Sequence, residues 1–430
     1  MSLSRRQFIA TSSAAIVAAG TLGRSSVFGA NDRVRVCVVG VNGRGGSHIE
    51  GFNDYEGSEV VALCDPDQRV LERRAGWTKK KYGKEPKLYR DIRDVLADDT
   101  IDAISIATPN HWHSLATIWA CQAGKDVYVE KPLSHGIWEG RQLVHAAKQA
   151  GRIVQHGTQS RSDPTWMRDI RLMHEGLIGP IHVAKGFTYK TGNRHSIGHK
   201  PLEAAPKHLD WTLWQGPATE EEFCKNYVHY NWHWFWNYGN GETGNQGVHQ
   251  MDLGVWGLNK GLPTKIYSAG GRYAWDDQGE TPNTQLTTFT YEDGTMFEFE
   301  IRNVGSYQEA GKTTGNHFLG AKGYYVEGKG FFDYDHERIT VDEPKPISNG
   351  PWGNFIEAVK SRNQDDIRGT ALDGHLASAH CHLGNIAYQM GRSLEFDPHA
   401  ERFSSDQQAN GLLKREYRKD FEVPDLSATA

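Results

Sequence analysis

From Arg33 to about Ala150, short apolar runs alternate with segments whose apolar residues recur every three to four positions. Val34–Gly40, Val60–Asp65, Ala103–Ala107 and Asp126–Val129 are near-continuous in Val, Ile and Ala, the pattern of strands buried on both faces. Between them the helical period predicts helices from near Ser47, over Asp91–Ala97, over His113–Gly124 and over Trp138–Ala150, the last closed by Gly151. Ile153–His156 is one more short strand. Such alternation predicts a doubly wound parallel sheet covered on both faces.

Beyond the helix Pro164–Glu175, which Gly176 ends, the period changes to two. His182–Tyr189, Lys265–Trp275, Thr284–Tyr291 and Thr295–Asn303 alternate as half-buried strands do, with Glu292-Asp293-Gly294 as a hairpin turn. Phe318–Gly323 and Tyr324–Tyr334 add glycine-punctuated strands. The prediction is an α/β chain: a parallel-sheet domain over 31–155 and an α+β domain over 156–430 built on an open antiparallel sheet. Helices at Asn354–Arg362 and Leu372–Met390 are expected to pack back towards the first domain. A sheet with helices on one side leaves its other face for a second subunit, so a homo-oligomer, dimer or tetramer, is expected.

Residues 1 to about 30 stand apart from this scheme. Ser4-Arg5-Arg6-Gln7-Phe8-Ile9, the weakly apolar run Ala10 to Leu22 and the small residues near Val27-Phe28-Gly29-Ala30 have the order of a twin-arginine export signal, which predicts a periplasmic or otherwise exported protein. No other apolar run approaches the roughly 20 residues of a membrane span. With 48 basic and 53 acidic side chains the net charge is −5, which gives no reason to expect nucleic acid as a partner and suits a small neutral ligand. Cys37, Cys64, Cys121, Cys224 and Cys381 are odd in number and unpaired in spacing, so buried thiols are expected.

Chemistry concentrates where strands end. Gly40-Val41-Asn42-Gly43-Arg44-Gly45 follows the first strand and opens a helix, as in a dinucleotide site, with Asn42 in the middle position where the fingerprint has glycine. Asp65 closes the second strand where a ribose diol is read; it would repel a 2′-phosphate, which favours NAD over NADP, with Arg69 nearby keeping the reverse open. Thr108-Pro109-Asn110-His111 follows the strand at 103–107, with Asn110 and His111 set to line the nicotinamide side. Glu130-Lys131-Pro132 ends the strand at 126–129. Lys131 is read as an ammonium that hydrogen-bonds a reacting hydroxyl and helps move its proton, or alternatively as a hinge residue paired with Glu130.

These stretches together resemble the family of glucose-fructose oxidoreductase and inositol dehydrogenase, from about Arg33 to the C-terminal region. The resemblance implies a two-domain, nicotinamide-dependent enzyme of sugars or cyclitols with a Rossmann first domain, and it implies that Lys131 is catalytic. Family dehydrogenases commonly carry Asp, three residues, then His where this chain has Asn245 and His249. Asn takes no proton, so His249, with a pKa expected near neutrality, becomes the acid/base partner of Lys131. Some exported members resembling N-acetylgalactosaminidase cleave glycosides through a bound NAD without net redox change, and the Asn at the family's Asp position brings this chain nearer to them. Outside the cytoplasm no pool of free cofactor is expected, so NAD must be tightly held.

The run Asn231 to Gly239 is rich in Trp, and Trp234, Trp236 and Tyr238 are read as a sugar platform, with a core plug as the alternative. Gln159 and Arg161 are further substrate candidates. No spacing like His-Glu-x-x-His occurs and no metal is expected, a site joining His249 and His156 near Asp252 being the alternative. The leading reading is an exported oxidoreductase of a carbohydrate hydroxyl. The redox-neutral glycosidase and a non-catalytic cofactor-binding protein are its rivals.

Overall fold

The computed structural model describes residues 33–190 and 194–427; the export signal expected before about residue 30 lies outside the described residues. The first part builds β1 (Val34–Val39), α1 (Gly45–Asp54), β2 (Ser58–Cys64), α2 (Gln68–Tyr82), β3 (Lys87–Tyr89), α3 (Ile92–Leu96), β4 (Ala103–Ile106), α4 (Asn110–Gln122), β5 (Asp126–Glu130), α5 (Ile137–Ala150) and β6 (Val154–Gly157). Its six strands run β3-β2-β1-β4-β5-β6, and every pair is parallel. The order reverses between β1 and β4, which opens a crevice at their C-terminal ends, the place where such sheets bind ligands. Every residue of β4, β5 and β6 is buried, as continuous apolar runs require. Asp67 caps α2 by accepting from the amides of Arg69 and Val70, and Gly83 closes it in the left-handed conformation.

The second part continues with α6 (Pro164–His174), β7 (Ile181–Thr188), α7 (Trp211–Gln215), α8 (Val248–Leu258), β8 (Lys265–Gly271), β9 (Thr284–Thr290), β10 (Met296–Arg302), β11 (Thr314–Gly320), β12 (Tyr324–Val326), β13 (Gly330–Phe332) and β14 (Arg338–Ile339). It ends with α9 (Gly350–Ser361), α10 (Ala371–Met390), β15 (Leu394–Asp397), β16 (Arg402–Phe403) and α11 (Gln407–Gly411). The ten strands run β14-β13-β12-β11-β7-β10-β9-β8-β15-β16. The sheet is not wholly antiparallel as alternation suggested: β7 pairs parallel with β10, a long-range pairing that the period of two does not encode. The stretch expected as one strand over Tyr324–Tyr334 is a hairpin, turned by Gly328 and Gly330 at φ +80° and +98°.

The inner face of this sheet packs on α8 and α10. Phe289, Phe297, Phe299 and Phe318 are buried against Met251, Leu253, Ala377 and Leu383. Gly254 and Gly257 let the rings approach: a Cβ there would lie 2.3 Å from Phe297 and 2.4 Å from Phe318. On the outer face Tyr267, Leu286 and Leu319 are exposed. α9 crosses to the first sheet, where Phe355, Ile356 and Val359 share one core with Val34, Phe52 and Tyr128. All five cysteines are buried and free. No helix among the described residues is long and apolar enough to cross a membrane.

Several imidazoles lie in the interior. Burial pushes His111, His156 and His382 down to about 3, and His380 to about 4, from an ordinary value of 6.5. The unfolded chain then binds more protons than the folded one below pH 6.5, so stability is complete above that pH and is lost as pH falls towards 3–4. Thermal or denaturant unfolding is expected to show a fall of more than about 1.4 kcal/mol between pH 6 and 5, the value of one proton per pH unit; a flat profile there would contradict the buried neutral histidines.

Candidate functional site

The crevice at the ends of β1 and β4 is one end of a cleft of about 360 Å³ lined by both domains. Its floor is the glycine turn. Gly40 takes φ +82°, and its amide donates to the Cys64 carbonyl at 2.8 Å. A Cβ on Gly40 would lie 2.7 Å from the Ala107 oxygen and the Thr108 nitrogen, so no side chain fits where β1 and β4 end side by side. Gly45 is the tight glycine of the helix start, because a Cβ there would fall 2.0 Å from the Gly40 oxygen. It serves packing and does not line the cleft. Asn42 does not adopt a left-handed backbone. Arg73 donates to its side-chain oxygen at 2.6 Å and Arg74 to its carbonyl at 2.8 Å, so α2 fastens the turn while Gly43 faces open space.

Asp65 is buried at the end of β2, one carboxylate oxygen accepting from the Val41 amide at 2.9 Å and the other from the Asp67 amide at 3.0 Å. Each oxygen retains a further lone pair, which is what two ribose hydroxyls need. Arg69 is exposed and does not line the cleft, whereas Arg90 does. The Thr108 hydroxyl, also in the lining, is buried with no protein partner among the described residues. A close backbone turn, a fixed carboxylate and an orphaned hydroxyl along one crevice fit a dinucleotide such as NAD.

At the centre stands Lys131. Burial lowers the proton affinity of its ammonium, partly opposed by Glu130, and Nζ donates to the Asn245 carbonyl at 2.7 Å. Asn245 lies in a π-helical turn, Thr243–Gly247, that runs directly into α8; such widened turns recur at functional sites because they re-aim backbone groups. The Asn245 side chain reaches the Tyr230 hydroxyl at 3.4 Å. Although burial opposes ionisation of Glu130, hydrogen bonds from His48 at 3.2 Å and Arg44 at 2.8 Å hold its carboxyl well below the usual range. His48 in turn meets the Ser105 hydroxyl at 2.6 Å. Glu130 thereby sets Arg44 against the glycine turn.

The second domain closes the cleft with Leu213, Trp214, His229, Tyr230, Trp232 and His233. His233 was not singled out by the sequence. Its Nδ1 lies 2.6 Å from the Tyr230 carbonyl, which only accepts, so the proton sits on Nδ1 and Nε2 keeps a lone pair. Burial, with the Lys131 charge adding to it, pushes this imidazole down to about 3. A polar residue inside the aromatic run Asn231 to Gly239 was the available signal.

Of the residues expected from sequence, the cleft brings together Gly40, Asn42, Gly43, Arg44, Asp65, Thr108, Pro109, Asn110, Glu130, Lys131 and Asn245. Others stand elsewhere. Both ring nitrogens of His111 face backbone carbonyls, Trp214 at 2.9 Å and Tyr238 at 3.3 Å, so it joins the domains from within the core. Arg161 is buried between Asp252 at 2.9 Å and Asp373 at 3.1 Å, lying over the Trp256 ring. Gln159 donates to the Gly157 carbonyl at 2.6 Å and to Glu130 at 3.3 Å. Tyr238 is fully buried and donates to Glu221, Trp234 lies beneath Arg194, and Trp236 is half-buried with its amide on Glu280. The aromatic run is thus mainly a core plug, with Trp232 the ring that reaches the cleft. His249 sits one turn beyond Asn245, half-buried and outside the lining. Burial and the Lys131 charge push it to about 3, not near neutrality. Asp252, held by Arg161 and by Thr158 at 2.9 Å, is committed to structure.

Two family models match the chain: an oxidoreductase family's NAD-binding Rossmann fold over residues 34–158, and that family's C-terminal alpha/beta domain over 167–423. A glycosyl hydrolase family 109 protein from Shewanella sp. (strain W3-18-1) is 38% identical over 157 residues, 35% of this chain and 34% of that protein. An alpha-N-acetylgalactosaminidase from Shewanella oneidensis is 30% identical over 155 residues, 34% and 33% of the two chains. The match therefore spans about a third of the length of these curated relatives. Among solved structures, the WlbA dehydrogenase from Bordetella pertussis in complex with NADH and UDP-GlcNAcA has a TM-score of 0.64 at 19% identity, covering 85% of this chain and 99% of that one. Apo scyllo-inositol dehydrogenase from Lactobacillus casei has a TM-score of 0.60 at 16% identity, covering 85% and 98%, a likeness of fold. With its glycine turn, its Lys131 cleft and both family domains in order, the chain belongs to the Gfo/Idh/MocA family of oxidoreductases, whose first domain is an NAD-binding Rossmann fold.

Proposed function

We propose that the protein acts on a hydroxyl-bearing carbon of a carbohydrate, with one NAD molecule retained in the cleft from turnover to turnover. The observation that carries this reading is the Lys131 ammonium, set between the dinucleotide turn of one domain and the Tyr230, His233 and Asn245 wall of the other. Bound nicotinamide supplies a hydride acceptor that can also return the hydride. Lys131, with one N–H bond spent on the Asn245 carbonyl, has two left for a substrate hydroxyl. Its lowered proton affinity suits it to share that proton as charge changes on the carbon. The unprotonated Nε2 of His233 offers an acceptor in the same space, and the Trp232 ring a flat wall for a sugar's C–H face. His249, neutral and one turn beyond Asn245, keeps the cation of Lys131 free of a competing charge. Asp65 favours NAD over NADP. Export by the twin-arginine route, which carries folded proteins, agrees with a cofactor that travels inside.

The redox-neutral glycosidase is the second reading. It is supported by relatives named as family 109 glycosyl hydrolases and by Asn245 at the family's Asp position. In it a ring hydroxyl is oxidised to a ketone, the neighbouring C–H becomes acidic, and proton and aglycone leave. Water then adds and the ketone is reduced, so that no electrons are gained or lost overall. The exposed Tyr267, Leu286 and Leu319 on the outer sheet face support a homo-oligomer formed through that face.

Protein purified without added cofactor is expected to release NAD(H) on denaturation, and its bound nicotinamide is expected to be reduced by a sugar. Cleavage of aryl glycosides without added NAD, with deuterium from heavy water entering beside the oxidised carbon, would move the assignment to the glycosidase. Absence of both activities would leave the cofactor-binding protein. Lys131→Met is expected to lower turnover by about 10²–10⁴-fold while leaving NAD content intact; unchanged turnover would remove Lys131 from the chemistry. Light scattering is expected to give a dimer or tetramer, and Leu286→Glu to shift it towards monomer; an unshifted mass would move the interface elsewhere.

A further inference from the structure

The chain from Pro206 to Asn240 follows β7 in sequence yet lies across the first domain. Where β2 passes into α2, the Gln68 amide donates to the His208 carbonyl at 2.9 Å, the Asp210 amide donates to the Pro66 carbonyl at 3.1 Å, and Leu209 forms an antiparallel bridge with Asp67. Above this seam His229 Nε2 lies 3.0 Å from Asp67 Oδ2, and His208 Nε2 lies 3.7 Å from the same oxygen. Asp67 Oδ1 is already occupied in capping α2, so Oδ2 is the oxygen left to face the strap. His229 lines the cleft beside Asp65, two residues before Asp67.

The strap is fastened at its other edge too. Trp112 Nε1 donates to the Trp214 carbonyl at 3.0 Å, and Asn110 Nδ2 to Asn240 Oδ1 at 3.0 Å. From the C-terminal segment Arg415 donates to the Asn237 carbonyl at 3.0 Å. A dinucleotide lying along the glycine turn is therefore roofed by a segment tied down on both sides.

We propose that His229 and Asp67, assisted by His208, form a clasp that closes the adenosine-ribose end of the cofactor site and makes NAD a captured rather than an exchanging ligand. The proposal rests on the NAD reading of the cleft. Asp67 is buried, and there the loss of a hydrogen-bond partner is felt most. Asp65 binds the ribose, while Asp67, which shares its turn, holds down the cover. His229 is a positioning residue for the cofactor, and Asp67 acts through it.

The test compares the whole protein with His208→Ala/His229→Ala, and with His229→Gln, whose amide can still donate to Asp67. Exchange of bound NAD against isotopically labelled NAD is followed after gel filtration. The double variant is expected to exchange at least about tenfold faster, with the glutamine variant near wild type. Exchange at the wild-type rate in the double variant would overturn the clasp. Hydrogen exchange at the Gln68 and Asp210 amides gives a readout that needs no cofactor: faster exchange in the double variant is expected, and equal protection would overturn the proposal. Should wild-type protein hold no nicotinamide at all, the NAD reading fails while these amides still decide the clasp. Asp67→Asn, which keeps a cap oxygen for α2 but not the charge, serves if the histidine variants do not fold.

Discussion

The structure turns on holding an ammonium group in the seam between two domains. Removing the Lys131 charge from water is unfavourable by several kcal/mol unless the surroundings compensate, and the compensation comes from both sides: the ionised Glu130 from the first domain and the Asn245 carbonyl from the second. Neither domain alone makes that environment. The π-helical turn that presents the Asn245 carbonyl, and the strand end that presents Lys131, have to meet for the ion to be tolerated. The ion is correspondingly easy to neutralise when substrate arrives.

A second layer sits behind it. Ser105, His48, Glu130 and Arg44 form a continuous set of contacts from the middle of β4 to the glycine turn. Each member is fixed by the next, so the guanidinium at the turn is held by the same carboxylate whose charge favours the Lys131 ammonium. The neutral imidazoles of His233 and His249 complete the electrostatics: deprived of charge by burial, they surround Lys131 without repelling it.

The strands of the first domain were legible in the sequence because strands buried on two faces leave unbroken apolar runs, and a glycine turn followed by an acid marks the crevice those strands create. Lys131 was legible for the same reason, standing where an apolar strand meets proline. The parallel pairing of β7 with β10 was not, since the period of two fixes which face a residue occupies and leaves open which strand lies beside it. The aromatic run misled in part: Trp234 and Tyr238 carry the residue types of a sugar platform, but the same rings fill a core, and only packing shows that Tyr238 is sealed beneath Trp211 and Trp214. His233 escaped notice because its role depends on the Tyr230 carbonyl three residues back, a contact the sequence does not announce. Arg161 stood as a substrate candidate because its partners, Asp252 and Asp373, are distant in the chain.

The placement of α9 bears on the order in which the molecule can assemble. Phe355, Ile356 and Val359 complete the core around Val34, Phe52 and Tyr128, so the first domain leaves the ribosome with one flank bare and gains its cover only after some two hundred further residues have been made. The core behind the glycine turn is therefore finished by residues from the C-terminal part of the chain, so a truncation ahead of α9 strips the first domain of part of its own interior.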